Sequence, residues 1–262
     1  MGIIANTPDP KRAHFTMASD SGESGVRTTF ISAAMSTALD NPVWHALRGP
    51  QASWAIAATH AARFMPEAAP FFAIDGATKD AYDDAARILD GAPEARFFRP
   101  AAEPAPSGWR KTFEKPILQM VLPADVPLAL EVPRLCALGA DDAPEMLALA
   151  ERTKPGPFGP KTHALGAFIG IRRGRQLIAM AGERFRLPGY VEISAVAVDP
   201  SQRGRGYGRA LTSALAAGIR AQGSVPLLHV FPDNTAALTL YESIGFRTRT
   251  ELTIVWLARA GA

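Results

Sequence analysis

The second half of the chain alternates between short apolar runs and amphipathic stretches. Apolar runs bounded by glycine, proline or polar residues predict strands, whereas apolar residues at helical intervals predict helices. The predicted elements are, in chain order, a strand from Arg134 to Leu138, a helix from Asp142 to Arg152, a hairpin of Phe168 to Arg172 with Gln176 to Gly182, a strand from Tyr190 to Val198, a helix that ends at Gly223, a strand from Val225 to Phe231, a helix from Thr235 to Ile244 and a strand pair from Arg247 to Trp256. This order indicates an α/β (α+β) fold.

The first half has a weaker pattern, in which alanine is frequent. Apolar residues at helical intervals predict helices from Ser32 to Leu39 and from Ser53 to Phe64. Strands are predicted at Phe71 to Ile74 and at Pro116 to Leu122, with a helix from Lys79 to Asp90 between them. This half is therefore predicted to be mixed α/β as well.

Prolines at positions 123, 127 and 133 indicate a boundary between two domains, because frequent prolines oppose helix formation and suit a linker. We expect a flexible tail over residues 1–30, an N-terminal α/β lobe of unknown role over residues 31–126, and a second domain over residues 131–262. A chain of 262 residues is long enough for two modest domains that each bury a core.

Composition excludes several classes of function. The balance of 28 Lys and Arg against 25 Asp and Glu predicts no nucleic-acid partner. The single cysteine, Cys136, excludes an internal disulfide framework and fits a reducing compartment. The stretch from Met1 to Phe30 has no apolar segment typical of a signal peptide or membrane anchor, so a cytoplasmic location is expected, with no membrane partner. The five histidines lack ligand spacing, so no metal site is expected.

The most informative motif follows the strand that ends at Val198. Arginine and glycine recur there as Arg203-x-x-Gly206-x-Gly208, directly before a helix. Glycine lets the backbone turn tightly and approach a ligand, and free N–H groups at a helix N-terminus favour an anion such as pyrophosphate. A P-loop needs Lys and then Ser or Thr where this chain has Arg209 and Ala210, and a dinucleotide fingerprint needs a third glycine at Arg209, so both commoner phosphate motifs are excluded.

A second motif begins at Asn234. It reads Asn-x-x-Ala-x-x-Leu-Tyr-x-x-x-Gly-Phe and ends at Phe246. Together, the two motifs resemble the acyl-CoA-binding loop and the downstream helix of the GNAT superfamily of N-acetyltransferases. The resemblance is specific from about Tyr190 to Phe246 and extends, by the order of elements, from Glu131 to the C-terminus.

The resemblance implies a mixed, splayed sheet flanked by helices, with acetyl-CoA as co-substrate and no metal. The first half is compatible with a degenerate copy of the same fold, as in two-lobed family members, although it contains no glycine loop. The pantetheine arm would pair with the strand end, and the pyrophosphate would lie on the loop. The implied cofactor-binding residues are Val196, Ala197, Val198, Arg203, Gly204, Arg205, Gly206, Tyr207, Gly208, Arg209, Asn234, Ala237 and Tyr241.

Two residues are candidates for proton transfer. Glu192 matches the position of a general base in several family members, and a carboxylate inside an apolar strand should have a raised pKa. The alternatives are a strand-end carboxylate that faces solvent or pairs with Arg184 or Arg186, and a water chain as the base. Tyr241 matches the family's tyrosine and would donate a proton to the leaving thiolate. The alternative is a core aromatic residue in the apolar stripe of its helix.

The remaining polar candidates have weaker support. Ser194 shares the strand face of Glu192 if no bulge intervenes, and it is a candidate proton relay, although a packing role is preferred. His229 is expected to be a core residue, and Cys136 is too far from base-like partners for an acyl-cysteine route. Lys154 and Phe158 lie where family members place the acceptor-binding loop.

We therefore predict an N-acyltransferase that moves an acetyl or other short acyl group from acyl-CoA to a primary amine of a small molecule or amino acid, by direct transfer in a ternary complex. The first half is expected to shape the acceptor pocket or a homodimer contact. One alternative is a non-catalytic acyl-CoA-binding sensor or partner module. Another, a phosphate-loop nucleotide binder, is disfavoured by the missing lysine.

Overall fold

A mixed sheet of eleven strands organises residues 38–129 and 134–261, the residues that the computed structural model describes. The strands are β1 (Ala55–Ala57), β2 (Ala61–Phe64), β3 (Phe71–Ile74), β4 (Ala95–Arg99), β5 (Trp109–Val121), β6 (Cys136–Leu138), β7 (Phe168–Arg173), β8 (Gln176–Leu187), β9 (Tyr190–Val198), β10 (Val225–Val230) and β11 (Arg247–Arg259). The α-helices include α1 (Pro42–Leu47), α2 (Lys79–Arg87), α3 (Ala143–Thr153), α4 (Tyr207–Ala221) and α5 (Thr235–Ile244). Residues 38–40 are also helical. The predicted tail, residues 1–30, lies outside the described residues.

Helix boundaries coincide with capping residues. The Thr78 hydroxyl accepts a hydrogen bond from the Ala81 N–H at 3.2 Å and caps α2. At α5, the Asn234 side chain accepts from the Ala237 N–H, and Gly245 ends the helix in the left-handed conformation. These local signals explain why the predicted and observed bounds of α5 are the same.

The order of strands in the sheet interleaves the two halves of the chain. The order is β1-β2-β3-β4-β11-β5-β10-β9-β8-β7-β6, so β11, from the end of the chain, lies between β4 and β5 of the first half. Neighbouring strands are antiparallel except for β3 with β4 and β9 with β10. The two predicted lobes therefore share one sheet, and β5 of the first half pairs with both β10 and β11 of the second.

The halves also share a hydrophobic core. The rings of Phe64 and Phe71, from the first half, lie 5.7 Å and 5.4 Å from the ring of Phe185 on β8. Helix α1 covers this core, and a second core lies between α4, α5 and the other face of the sheet. The sequence boundary at prolines 123–133 is thus not a boundary in packing.

Two sequence predictions are wrong. The predicted helix from Ser53 to Phe64 is a short 3-10 turn followed by β1 and β2. Pairing of β2 with β3 competes successfully with the helix propensity of alanine, which is a weak preference. The predicted strand pair from Arg247 to Trp256 is one continuous strand, β11, because β4 and β5 pair along its two edges.

Gly182 provides a test of packing between β7 and β8. It lies directly opposite Phe168, and a β-carbon added at Gly182 would lie 2.3 Å from two ring carbons of Phe168. We expect Gly182→Ala to lower the free energy of unfolding by about 1–3 kcal/mol through overpacking. Urea denaturation measures this loss. The control is Gly218→Ala on α4, where no atom lies within 4 Å of the added carbon, and which should raise stability by up to about 1 kcal/mol. Equal effects of the two substitutions would contradict the packing.

Candidate active site

A wedge opens in the sheet where β9 and β10 separate. The two strands pair in parallel only from Tyr190 to Glu192, opposite Val225 to Leu227. Beyond Glu192, β9 continues along β8, whereas β10 continues along β5. The sheet is therefore splayed, as predicted.

The far end of β9 directs backbone groups into this wedge. The Asp199 N–H donates to the carbonyl of Ile178, the third residue of β8, at 2.8 Å. Because successive residues of a strand direct their backbone groups to opposite sides, the N–H and C=O of Val198 point away from β8 and toward the wedge. A bulge precedes this segment, where the register shifts and Ala195 has a φ of +52°. The wedge therefore presents unpaired backbone groups that an extended ligand can pair with.

A cleft of about 400 Å³ follows the wedge to the start of α4. The structure brings all the predicted cofactor-binding residues to its lining. These are Val196, Ala197, Val198, Arg203, Gly204, Arg205, Gly206, Tyr207, Gly208, Arg209, Asn234, Ala237 and Tyr241. The other lining residues were not predicted to bind the cofactor, and they are Thr153, Lys154, Pro155, Gln202, Ala236 and Leu240. Of these, Lys154 was predicted to lie in an acceptor-binding loop.

The glycine loop leaves main-chain N–H groups free at the start of α4. Gly204 and Gly206 have φ values of +77° and +76°, which other residues rarely adopt. The first helical hydrogen bond runs from the Ala210 N–H to the Gly206 carbonyl, so the preceding N–H groups of the helix have no partner within it. The positive end of a 15-residue helix thus faces the cleft, with no acidic residue in its first turn.

The arginines of the loop have different surroundings. Arg203 and Arg205 are exposed at the mouth of the cleft. The Arg209 guanidinium instead donates to the carbonyl and the hydroxyl of Ser243, at the end of α5. The backbone and two side chains of the loop therefore suit an anion such as phosphate, while Arg209 also joins α4 to α5.

Glu192 is fully buried and forms an ion pair with Arg184. The Arg184 Nε and Nη2 atoms lie 2.8 Å and 2.6 Å from the two carboxylate oxygens, and His229 Nδ1 lies 2.7 Å from Oε1. Burial by itself raises the pKa of Glu192, but the Arg184 charge and the hydrogen bonds from His229 and Arg184 lower it to about 2. The expectation of a raised pKa is therefore wrong, and the ion pair with Arg184 is the arrangement observed.

The surroundings of Tyr241 keep its hydroxyl protonated. Burial and, secondarily, the negative charge of Glu192 raise its pKa to about 12. Its ring packs on Phe246, and among the described residues its hydroxyl has no hydrogen-bond partner. Tyr241 is thus both a core aromatic residue and a protonated phenol at the cleft.

The other candidates are dispersed. Ser194 is half-buried on β9 and lies between two register shifts with β8, one of which spans Glu192. Phe158 packs against Phe168, whereas Lys154 lines the cleft. Cys136 lies on the edge strand β6, three strands from β9, and its thiol donates to the Gly170 carbonyl on β7.

Within the described ranges, no group of three or more His, Cys, Asp or Glu side chains is arranged to hold a metal ion. No helix there has the length and apolar character needed to cross a membrane.

Several known proteins are similar to parts of this chain. The family model described as FR47-like protein matches residues 168–257. The chain is 41% identical over 83 residues to the N-alpha-acetyltransferase RimI of Mycobacterium tuberculosis, covering 30% of this chain and 51% of that protein. It is 52% identical over 56 residues to the mycothiol acetyltransferase of Thermobispora bispora, covering 21% and 19%. The matches thus span about half of the first relative's length and about a fifth of the second's.

Two solved structures are similar over most of the chain. A protein of Novosphingobium aromaticivorans from the GNAT family is 39% identical, with a TM-score of 0.78, and the match covers 85% of this chain and 98% of that one. A GCN5-related N-acetyltransferase of Kribbella flavida is 18% identical, with a TM-score of 0.55 and coverage of 89% and 97%. The second similarity concerns the fold alone.

The buried ion pair predicts a pH-dependent loss of stability. We expect Glu192→Gln to lower the free energy of unfolding by about 3–5 kcal/mol at pH 7, because it leaves Arg184 buried without a charged partner. The lowered pKa of Glu192 means that the carboxylate stabilises the fold fully above its ordinary pKa of 4.5, and that this stabilisation is lost as the pH falls toward about 2. The difference in free energy of unfolding between wild type and Glu192→Gln should therefore become smaller as the pH falls from 4.5 toward about 2.

Urea denaturation at pH 7, 5, 4 and 3 tests this. The control is Glu145→Gln, which removes the exposed partner of Arg172 and should cost less than about 1 kcal/mol. A gap between wild type and Glu192→Gln that is small at pH 7, or that does not change with pH, would contradict the ion pair's role.

Proposed function

The chain belongs to the GNAT family of acetyltransferases, and we propose that it transfers an acetyl or other short acyl group from acyl-CoA to the primary amine of a small molecule or amino acid. Both substrates are bound together during this direct transfer. The similar proteins have names that point to different reactions, N-alpha-acetyltransferase and mycothiol acetyltransferase. The acceptor of this chain is therefore not taken from either of them.

One observation supports the proposal most strongly, namely that a single cleft joins the glycine loop to the open edge of β9. The free N–H groups at the start of α4, with Arg203 and Arg205, suit a phosphate group. The wedge-facing backbone groups of Val198 suit an extended arm that contains amides. Coenzyme A combines these two features in one molecule.

The residues at the inner end of the cleft suit acyl transfer. When bound, acyl-CoA supplies an activated carbonyl and a thiol leaving group. Tyr241 holds a proton on its hydroxyl throughout the physiological pH range, so it can donate that proton within the cleft. Backbone N–H groups of β9 near Val196 can stabilise negative charge that develops on an oxygen, without any reorganisation.

Glu192 is not the general base in this proposal. Its carboxylate already accepts three N–H donors from Arg184 and His229. The proton of the acceptor amine therefore leaves through water, which was the alternative to a side-chain base. Cys136 lies three strands away, so no acyl-cysteine is involved.

A non-catalytic acyl-CoA-binding module is the second candidate. The observation in its favour is that none of the described residues lining the cleft is Asp, Glu or His. Such a module would bind acetyl-CoA without turnover, whatever amine is supplied.

The first test is release of free thiol from acetyl-CoA with a panel of amines and amino acids. We expect turnover with at least one acceptor, and Tyr241→Phe should lower kcat about 100-fold with little change in KM, because the proton donor is lost while packing is retained. Tight binding of acetyl-CoA without turnover of any amine would favour the module. An unchanged kcat in Tyr241→Phe would exclude the tyrosine as the acid.

The second test concerns the glycine loop. Gly206→Ala places a β-carbon on a residue with a φ of +76°, which costs about 1–2 kcal/mol. The loop relieves this strain by moving its N–H groups, so the dissociation constant of acetyl-CoA should rise about tenfold, equivalent to about 1.4 kcal/mol.

Gly223→Ala is the matched control for this experiment. Gly223 follows α4 at its other end, has a φ of +75° and also has open space around it. Isothermal titration calorimetry should show unchanged affinity for this variant. Equal affinities for the two variants would mean that the loop does not bind the cofactor.

A further inference from the structure

Side chains replace the backbone ladder at the point where β9 and β10 separate. Leu227 opposite Glu192 is the last backbone pair between the two strands. Two residues further along β10, His229 Nδ1 contacts the Glu192 carboxylate at 2.7 Å, and the side chains of both residues are buried. A hydrogen bond between buried side chains therefore spans the strands at the apex of the wedge.

The neighbouring Gln119 determines the direction of this hydrogen bond. Its side-chain amide is fully buried, and its Oε1 atom accepts from Arg249 Nη1 at 2.9 Å. Its Nε2 atom donates to the Leu39 carbonyl at 2.8 Å and lies 3.1 Å from His229 Nε2. Because an amide nitrogen only donates hydrogen bonds, His229 Nε2 is the acceptor and His229 Nδ1–H donates to Glu192.

Both ends of this chain of hydrogen bonds lie against the first half of the molecule. At one end, Arg249 Nη2 lies 2.6 Å from the Asp40 carboxylate. At the other, the Arg184 guanidinium lies 4.8 Å from the ring of Phe71. We call this series of hydrogen-bonded side chains the apex network, and its members are Asp40, Arg249, Gln119, His229, Glu192 and Arg184.

We propose that the first half of the chain sets the opening of the acyl-CoA cleft through the apex network, in which Gln119 and His229 are positioning residues. Gln119 belongs to β5 and does not line the cleft, yet it holds the histidine that joins β10 to β9. Val196 and Val198, which line the cleft, lie four and six residues beyond Glu192 on the same strand. A substitution of Gln119 therefore alters the angle at which β9 and β10 separate, and with it the width of the cleft. This inference depends on the proposed function, because it assumes that the cleft binds acyl-CoA.

Gln119→Met tests the proposal, since it keeps the side-chain length but removes the amide. We expect the dissociation constant of acetyl-CoA, measured by calorimetry, to rise about 2- to 30-fold, the range for residues that couple to a site without touching it. Arg63→Met is the control. Arg63 is also buried, and its guanidinium donates to the Ile88 and Leu89 carbonyls rather than to any member of the apex network. This control should lose stability but keep its affinity.

A second measurement on the wild-type fold needs no variant of the network. In protein labelled with ¹⁵N-histidine, we expect His229 to give the signal of an imidazole with its proton on Nδ1. The exposed His60 also contacts a carboxylate through Nδ1. The signal of His229 is therefore the one that persists in the His60→Gln variant. Acetyl-CoA should shift the signals of this histidine, since coupling between sites is reciprocal.

The outcomes separate the two proposals. If wild-type protein neither binds nor turns over acetyl-CoA, the proposed function fails. If it binds acetyl-CoA but Gln119→Met binds as tightly, the positioning role is overturned. The role is also overturned if His229 carries its proton on Nε2 or does not respond to saturating acetyl-CoA.

Discussion

A carboxylate buried where two strands part is the constraint on which the rest of the structure depends. An isolated charge at the position of Glu192 would be very unfavourable, so the fold must supply opposite charge and hydrogen bonds from several directions. Arg184 provides two donors from β8 and His229 a third from β10. Supporting His229 requires Gln119 on β5, and orienting Gln119 requires Arg249 on β11. The network that satisfies this one buried charge thus draws on strands from both halves of the chain.

The cleft is the consequence of the strands separating beyond that charge. A parallel pair that continued past Glu192 would use the backbone groups of Val198 for its own ladder and leave no open edge. The glycine loop works on the same principle, because the groups that it offers to a ligand are main-chain N–H groups at the start of a helix. In the proposed complex, recognition of the cofactor's phosphate end would therefore depend mainly on backbone shape, and Arg203 and Arg205 would add charge at the mouth of the cleft.

This dependence on backbone shape explains which features the sequence could predict. The glycine spacing, the Asn234 cap and the alternation along β9 are local signals, and they lead to the lining of the cleft and to the bounds of β9 and α5. The wrong predictions all concern partners distant in sequence. Strands β1 and β2 form because β3 is available to pair with β2. The pKa of Glu192 is low because Arg184 and His229 approach it from other strands, whereas the sequence favoured an apolar surrounding and offered an ion pair with Arg184 or Arg186 only as an alternative.

One part of the cleft lies outside the local motifs, namely the loop at Lys154. The loop after α3, which holds Lys154 at the cleft, is joined to the first half further along. The Lys161 N–H donates to the Glu67 carbonyl at 2.8 Å, and the Thr162 hydroxyl donates to the Ala68 carbonyl at 2.6 Å. The wall of the cleft formed by this loop at Lys154 is therefore positioned by residues that have no counterpart in the acyl-CoA motifs. If acceptor specificity depends on that wall, it depends on contacts between the halves, and a motif confined to either half cannot describe it.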